Sequence, residues 1–598
     1  MVGVLSLSAG LNFWNLSANG WANAFYTAAV QSGLHSGEAF LFGSSDWGNA
    51  ISVDKPPLSL WLMGVSVRIF GFNSWGILVP QALLGVATTA LVYSVVRRRA
   101  GAAAALTAAL IFATTPIVVL LSRYNNPDPF LTFLVMLGLA AALRGIESPR
   151  VRWFLVAGAF LGLGFLAKQF QVLLIAPALA SAALSMSRST WRKALLNCGA
   201  AILAFAAVAG SWLTFVDLTP ASARPFVGGS TTNSLTELTL GYNGVNRITS
   251  ADDYVTGLIP QQFGGGGSDA GPLRLFNANY NQEASWILLL GLACGIMSAW
   301  CLRRTRAGAL ALVSAVWLIT VYLLLSFMGH DIHTYYTMSL APPLALTVGL
   351  GIEALSLAPR SRGRRAIVAL GVGLCAVASW LTLGSLVPIG PMQILSEAAL
   401  ACGLGGAVLT AIPPPLGWIN KAAACLVVIG LSLGPLATDF ATLNRGQTGS
   451  SPASGSLTAS PSSMSRFLAS LRNNDPKWAS DLALGASPPG PLAEKLADSN
   501  SSCRWTAATF PAQTAANWQL VMNRPVMPLG GFSASDPSPT LDQFAEAVGR
   551  GSICYLIDYP EMDPIISKQP TISSIVAWVR STFPHETIDG VTIYHLSG

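Results

Sequence analysis

Charge is what this chain has least of. Only 10% of its 598 residues are Asp, Glu, Lys or Arg, against about 25% in an ordinary soluble protein. That scarcity excludes a water-soluble globular fold. It goes with 52% hydrophobic residues and a mean hydropathy of +0.53, the composition of a chain that crosses a membrane many times. A basic helix and a base-reading motif are also missing, so the net charge of +7 gives no reason to expect a nucleic-acid partner. No CxxC or CxxH spacing occurs, which excludes a structural zinc module of the usual kind. Six of the eight cysteines (Cys198, Cys294, Cys301, Cys375, Cys402 and Cys425) lie in or beside apolar runs and read as small core residues. Cys503 and Cys554 lie in the polar last third, where a disulfide and two free thiols are both open readings.

What is abundant is long apolar sequence. Runs at about 2–14, 76–96, 101–121, 129–143, 153–167, 170–187, 194–216, 284–302, 307–328, 335–356, 366–388, 393–412 and 422–438 read as membrane helices. The first is short and lacks a basic flank, so it reads as a clipped helix or a misassigned start and not as a cleavable signal peptide. The arginines fall between the runs: Arg97–Arg99, Arg144 to Arg152, Arg188 to Lys193, Arg303 to Arg306, Arg360 to Arg365, then Lys421. Each cluster follows an even-numbered run, so all share one side, the cytoplasmic one.

The opposite side receives a first loop at about 15–75, a short NNPDP loop, a long loop at about 217–283 with GGGG at 264–267, and the tail. The first loop is long enough to hold interfacial helices, and the GGGG run reads as a hinge or lid. The expected organisation is a membrane domain over 1–440, a Ser/Gly/Pro linker over 441–465 and an extracytoplasmic α/β domain over 466–598. SICYLI (552–557) reads as a strand and TLDQFAEAV (540–548) as a helix. The fold class expected is thus a polytopic α-helical membrane protein of about 13 spans with a small α/β domain outside the membrane.

Ionisable groups at the edge of a membrane are costly and are functional candidates by default. On the outer side these are Asp46, Asp54, Lys55, Arg123, Asp128, Lys168, His330, Asp331 and His333. In DKPP, Pro56 and Pro57 stiffen the chain and hold Asp54 and Lys55 at a set height. Asp54 there can serve as a general base and Lys55 can meet a phosphate, or the two form an interfacial ion pair. In RYNNPDPF, Asp128 either caps the next helix or joins Arg123, Asn125 and Asn126 in a cluster for sugar hydroxyls or a divalent metal. Lys168 in LAKQF either snorkels or reaches a lipid phosphate. MGHDIHTYY brings His330, Asp331, His333, Tyr335 and Tyr336 to the outer end of a span, where tyrosines also serve as an aromatic belt.

Taken together, acids, amines and a membrane-edge position suit a sugar donor tethered to a lipid phosphate. An acceptor hydroxyl, deprotonated by an aspartate, would attack the anomeric carbon and invert it, with cations meeting the phosphate that leaves. A lipid-linked sugar flippase would need polar residues through the span interiors and on both faces. An inactive glycan-binding scaffold is the other competing reading.

ANAFYTAAVQ, DKPPLSLW, YNNPDPF, LAKQF and IHTYYTMSLAPPLA, in this order, resemble the membrane glycosyltransferases of the GT-C superfamily. The resemblance is to the family-39-like enzymes, related to protein O-mannosyltransferases and the lipid A aminoarabinose transferase. The tail motifs WQL, RPVMPLGGF and SDPSPTLDQF resemble the C-terminal domain of a bacterial, notably actinobacterial, mannosyltransferase-like subgroup. The resemblance spans nearly the whole chain and is thin over 217–283. It implies a multi-pass protein of the bacterial plasma membrane that takes sugar, mannose or a similar one, from a polyprenyl-phosphate donor outside the cytoplasm. The acceptor is a glycan, a glycolipid or a protein of the cell envelope, and the tail is a candidate for binding it.

By motif, Asp54 and Lys55 match the acid-Lys-Pro-Pro element of the family, Asp128 its second-loop acid and Lys168 its lysine after the fifth span. Members commonly carry an acidic pair just before the first-loop tyrosine. Here Asn23 precedes Tyr26 with no acid between, so both remain as substrate-contact candidates and the base falls to Asp54 or, in competition, Asp46. No cofactor is required by the resemblance, and a divalent metal, Mg or Mn, stays open.

Overall fold

The computed structural model describes residues 1–148, 150–186, 190–245, 270–277, 280–329, 333–385, 390–413, 417–455, 477–498 and 503–596. The GGGG run, His330 and Asp331 lie outside these. All thirteen apolar segments are helical where described. Among the described residues nine helices are long and apolar enough to cross a membrane, ten if one bent pair is a single span. By that measure thirteen is not reached, and the reasons are local. Val2–Phe13 has 12 residues and Ser285–Cys301 is also short. The 101–121 run breaks into Ala102–Ala113 and Pro116–Ser122, bent by 60°, because Thr115 precedes a proline and is pushed to extended geometry at φ −78°, ψ 121°.

The second break positions a functional residue. Val151–Lys168 stops where Gln169 takes φ +47°, ψ −132°, an uncommon conformation for a residue with a Cβ. The chain continues as a tight 3₁₀ turn, Gln169–Ile175, and then as Ala176–Met186. Lys168 is thereby the last residue of a helix and is buried. The first outer loop holds three helices, Ala24–His35, Gly37–Phe42 and Leu58–Phe70. The last starts directly after Pro57, which takes the capping position.

The C-terminal part forms a five-stranded sheet of order β2-β1-β3-β5-β4, from β1 (Trp505–Thr509), β2 (Val526–Pro528), β3 (Ile553–Asp558), β4 (His585–Ile588) and β5 (Val591–His595). The β2-β1-β3 half is parallel and β3-β5-β4 antiparallel. Parallel neighbours need crossover connections, supplied by the helices Ala512–Met522 and Leu541–Gly549. Thr540 and Gln543 close a reciprocal capping box on the latter. A core around Trp518, Phe544 and Ile575 fills the space between sheet and helices, and Cys503 and Cys554 are joined by a disulfide.

This domain packs on the first outer loop. Gln519 Nε2 donates to Ala28 O and Ser32 Oγ at 3.1 Å each and to Ser45 O at 3.2 Å. Trp505 Nε1 donates to Asp46 Oδ1 at 2.7 Å, and the Phe532 ring lies 5.1 Å from that of Phe25. The first residues of the expected linker are fastened as well. Gln447 N donates to Asn19 Oδ1 at 2.9 Å, Gly449 N to Ala22 O at 3.1 Å, and Ser454 N to Glu283 Oε1 at 2.9 Å.

Candidate active site

Asp54 and Lys55 form a pair at 2.6 Å. The two prolines keep the segment out of a helix, so its polar groups are free for a loop. That loop is 241–245: Lys55 Nζ donates to Asn243 Oδ1 at 2.7 Å, Asn243 Nδ2 donates to Asp54 O at 2.8 Å, and Nζ lies 5.5 Å from the centre of the Tyr242 ring. Asp54 is 3% exposed, and its Oδ1 has no hydrogen-bond partner among the described residues. A buried carboxylate oxygen left without a donor is expensive, and such groups in native proteins call for an explanation.

Asp128 is fully buried at the start of the helix Asp128–Glu147. Lys168 Nζ donates to both its oxygens, at 2.7 and 2.6 Å, and Gln171 Nε2 reaches Oδ1 at 3.4 Å. Over Nζ lie the rings of Tyr335 and Tyr336, at 4.7 and 5.2 Å. His333 stacks on Tyr335 at 4.8 Å. Lys168 therefore does not snorkel: it is held inside the protein by an acid and two aromatic faces.

Tyr26 links the two ion pairs. Its hydroxyl is pushed well above the ordinary tyrosine range, first by burial and then by the fields of Asp54, Tyr242, Asp128 and Tyr336. These groups come from five separate parts of the chain and share one electrostatic environment.

Other candidates are used differently. Arg123 turns away from the pairs. Its guanidinium donates to Leu11 O at 3.1 Å, Asn12 O at 3.4 Å and Asn15 O at 3.1 Å, and also to Trp14 O. Leu11 O and Asn12 O are carbonyls that the helix Val2–Phe13 leaves open at its end, and Trp14 and Asn15 follow it, so Arg123 ties down the end of that helix, and the expectation that it faces a phosphate is corrected. Burial lowers its pKa to about 10. Asn125 is a clamp: its Nδ2 donates to Asn23 O at 3.0 Å and to Thr27 Oγ1 at 2.9 Å, and its Oδ1 accepts from Asn23 N at 2.9 Å. Asn23 in turn caps the helix Ala24–His35, its Oδ1 accepting from Phe25 N at 3.1 Å. Asn126 is buried beside them. Asp46 accepts from Trp505 and from Ala50 N, and burial raises its carboxyl to about 6. It belongs to the joint with the C-terminal domain, a place the charge pattern alone did not indicate.

Asn243, Tyr242 and Gln171 were not foreseen. Gln171 directly follows LAKQF, three residues past Lys168, and could have been read from that spacing. Asn243 and Tyr242 lie in the loop where the resemblance is thin. Among the described residues no three His, Cys, Asp or Glu side chains gather as metal ligands would; His330 and Asp331 lie outside them.

Residues 54–212 match the family described as dolichyl-phosphate-mannose-protein mannosyltransferase, and residues 492–582 match that described as "Putative mannosyltransferase YkcB-like, C-terminal". Two Bacillus subtilis proteins are similar over nearly the whole length. "Putative mannosyltransferase YkcB" is 28% identical over 93% of this chain and 88% of that protein, and "Putative mannosyltransferase YycA" is 27% identical over 98% and 94%. The fold matches the crystal structure of ArnT from Cupriavidus metallidurans bound to undecaprenyl phosphate with a TM-score of 0.57, at 15% identity, over 100% of this chain and 98% of that one. In sequence the chain is thus similar to mannosyltransferase-like proteins, and it shares the fold of that ArnT structure. Its apolar helices make it multi-pass in the membrane, and the first family match begins at Asp54 itself.

Proposed function

We propose that this protein is a GT-C glycosyltransferase that moves a sugar, mannose or a similar one, from a polyprenyl-phosphate donor to an acceptor hydroxyl in the cell envelope, on the outer side of the bacterial plasma membrane. The carrying observation is the pairing of two buried acids with a buried lysine, Lys168, and a partly exposed one, Lys55, in the field felt by Tyr26, with one carboxylate oxygen, Asp54 Oδ1, left without a partner among the described residues.

In this reading Asp54 is the base. Asp128 is less suited, since Lys168 occupies both its oxygens, and Asp46 is engaged by Trp505. Asp54 takes the proton of the acceptor hydroxyl as that oxygen forms its bond to the anomeric carbon. The bond from that carbon to the phosphate oxygen breaks on the opposite face, its electron pair leaves with the polyprenyl phosphate, and the product is inverted. Because the leaving group is already an anion, cations take the place of an acid. Lys55 and Lys168 supply that charge. His333, Tyr335, Tyr336 and Asn126 are the candidates for the sugar.

Lys55 and Arg224 line a small cleft together with Phe42, Pro56, Trp212 and Val216. The likeness to an ArnT bound to undecaprenyl phosphate supports this donor class. The disulfide Cys503–Cys554 fits an oxidising, extracytoplasmic setting for the C-terminal domain. The test is to incubate the purified protein with a panel of labelled polyprenyl-phosphate sugars and follow release or transfer of sugar. Release from one of them that is lost in Asp54→Asn supports the reading, and no release from any refutes it.

A further inference from the structure

The C-terminal domain reaches the site through one carboxylate. Asp536 is 4% exposed, in the loop that follows β2. Its Oδ2 accepts from Gly229 N, in the long outer loop, at 2.7 Å, and its Oδ1 accepts from Ser533 Oγ at 3.0 Å. The loop that carries it closes on itself: Asp536 N donates to Gly530 O at 2.9 Å and Gly530 N to Ser538 O at 3.2 Å. Gly531, at φ +64°, makes room, since a Cβ there would overlap the Asp536 carboxylate. Phe532 of the same loop lies against Phe25, next to Tyr26.

On its far side the Gly229 turn touches the site. Gly229 sits at φ +81°, and a Cβ there would be 3.6 Å from Asp54 Cβ and 3.6 Å from Tyr242 Cδ1. The turn is strung along the chain that leads into Asp54: Ser52 N donates to Phe226 O at 2.8 Å, and Gly228 N donates to Ser52 Oγ at 3.1 Å. The order in space is therefore Asp536, then the turn, then Asp54.

We propose that Asp536 is a positioning residue for the transfer site: by holding the Gly229 amide it sets the turn that packs on Asp54 and Tyr242, so the site is complete only when the C-terminal domain is docked. This rests on the reading of Asp54 as the base. A carboxylate that accepts from a backbone amide and a hydroxyl fixes both partners, and the surrounding burial makes that bond strong. The burial also raises the Asp536 carboxyl to about 7, with Asp54 and Glu237 adding to the rise.

The test uses the full chain in lipid nanodiscs. Asp536→Ala removes the acceptor, and Asp536→Asn keeps an oxygen for the Gly229 amide. Gly531→Ala displaces the carboxylate without touching the site. The expected result is a fall in kcat of about 10- to 100-fold for Asp536→Ala, with donor KM within about threefold. Asp536→Asn should recover most of this loss, Gly531→Ala should show a similar one, and the double variant should be no worse than the more damaged single, as for residues acting through one bond. Amide exchange over residues 226–230 should quicken in Asp536→Ala and Gly531→Ala but not in Asp536→Asn. Wild-type kcat with unchanged exchange in Asp536→Ala overturns the proposal. Equal damage from Asn and Ala with exchange unchanged does so too, since then the charge and not the amide bond matters. If the wild type transfers no sugar, the donor reading has failed, and the exchange readings alone still decide whether Asp536 holds the turn.

Discussion

Lys168 Nζ lies 2.7 and 2.6 Å from the two carboxylate oxygens of Asp128, with both side chains buried and the faces of Tyr335 and Tyr336 over the ammonium. The residues are 40 positions apart and meet because one helix begins at Asp128 and another ends at Lys168. Losing either partner leaves a buried charge uncompensated, at about 3–5 kcal/mol. Asp128→Asn and Lys168→Met are each expected to lower the thermal midpoint by several degrees. The double variant should regain part of that stability without regaining activity. A double variant less stable than the sum of the singles would show that the pair is not a unit.

The two lysines should separate from Arg123 in donor binding. Lys55→Ala and Lys168→Ala are expected to weaken binding of polyprenyl phosphate by about tenfold or more each, as loss of a charge-assisted bond implies. Arg123→Met should leave that affinity within about threefold and instead destabilise the fold by about 1–3 kcal/mol, because its helix-end carbonyls lose their donor. Binding measured by calorimetry in detergent, beside thermal melts, distinguishes the two roles.

Much of this site was legible in the sequence. An acid or lysine set beside apolar runs is conspicuous, and Asp54, Lys55, Asp128 and Lys168 stood out for that reason. Helix positions were legible too, through run length, while the breaks at Thr115 and Gln169 depend on backbone conformation that run length does not report. Arg123 and Asp46 looked like site residues because a lone charge near a polar cluster reads the same whether it meets a ligand, a helix end or an indole. The bond from Gly229 to Asp536 spans 307 residues, and no local pattern announces a pairing made only by docking of one domain on another.

Docking of the C-terminal domain should depend on pH. The carboxyls of Asp536 and Asp46 are raised by burial to about 7 and about 6. For an acid raised in the folded state, the stabilisation is complete below the ordinary carboxylate range, near 4, and is lost as pH rises through the raised value. Docking is therefore expected to weaken between about pH 4 and 7. Around Asp536 the facing charges are Asp54 and Glu237, which add to the rise, and beside Asp46 it is Arg504, which opposes it. Amide exchange over residues 24–35 and 512–522 follows docking across this range. Flat protection from pH 4 to 7 would contradict the expectation, and Asp536→Asn should flatten the upper part of the curve.

The most direct measurement is single-turnover release of labelled sugar from a polyprenyl-phosphate donor by the wild type and by Asp54→Asn, with donor binding measured in parallel. The expected result is a rate lower by about a thousandfold in Asp54→Asn, within the range for loss of a general base, with donor affinity within about threefold of wild type. Release at the wild-type rate by Asp54→Asn would contradict the assignment of Asp54 as the base.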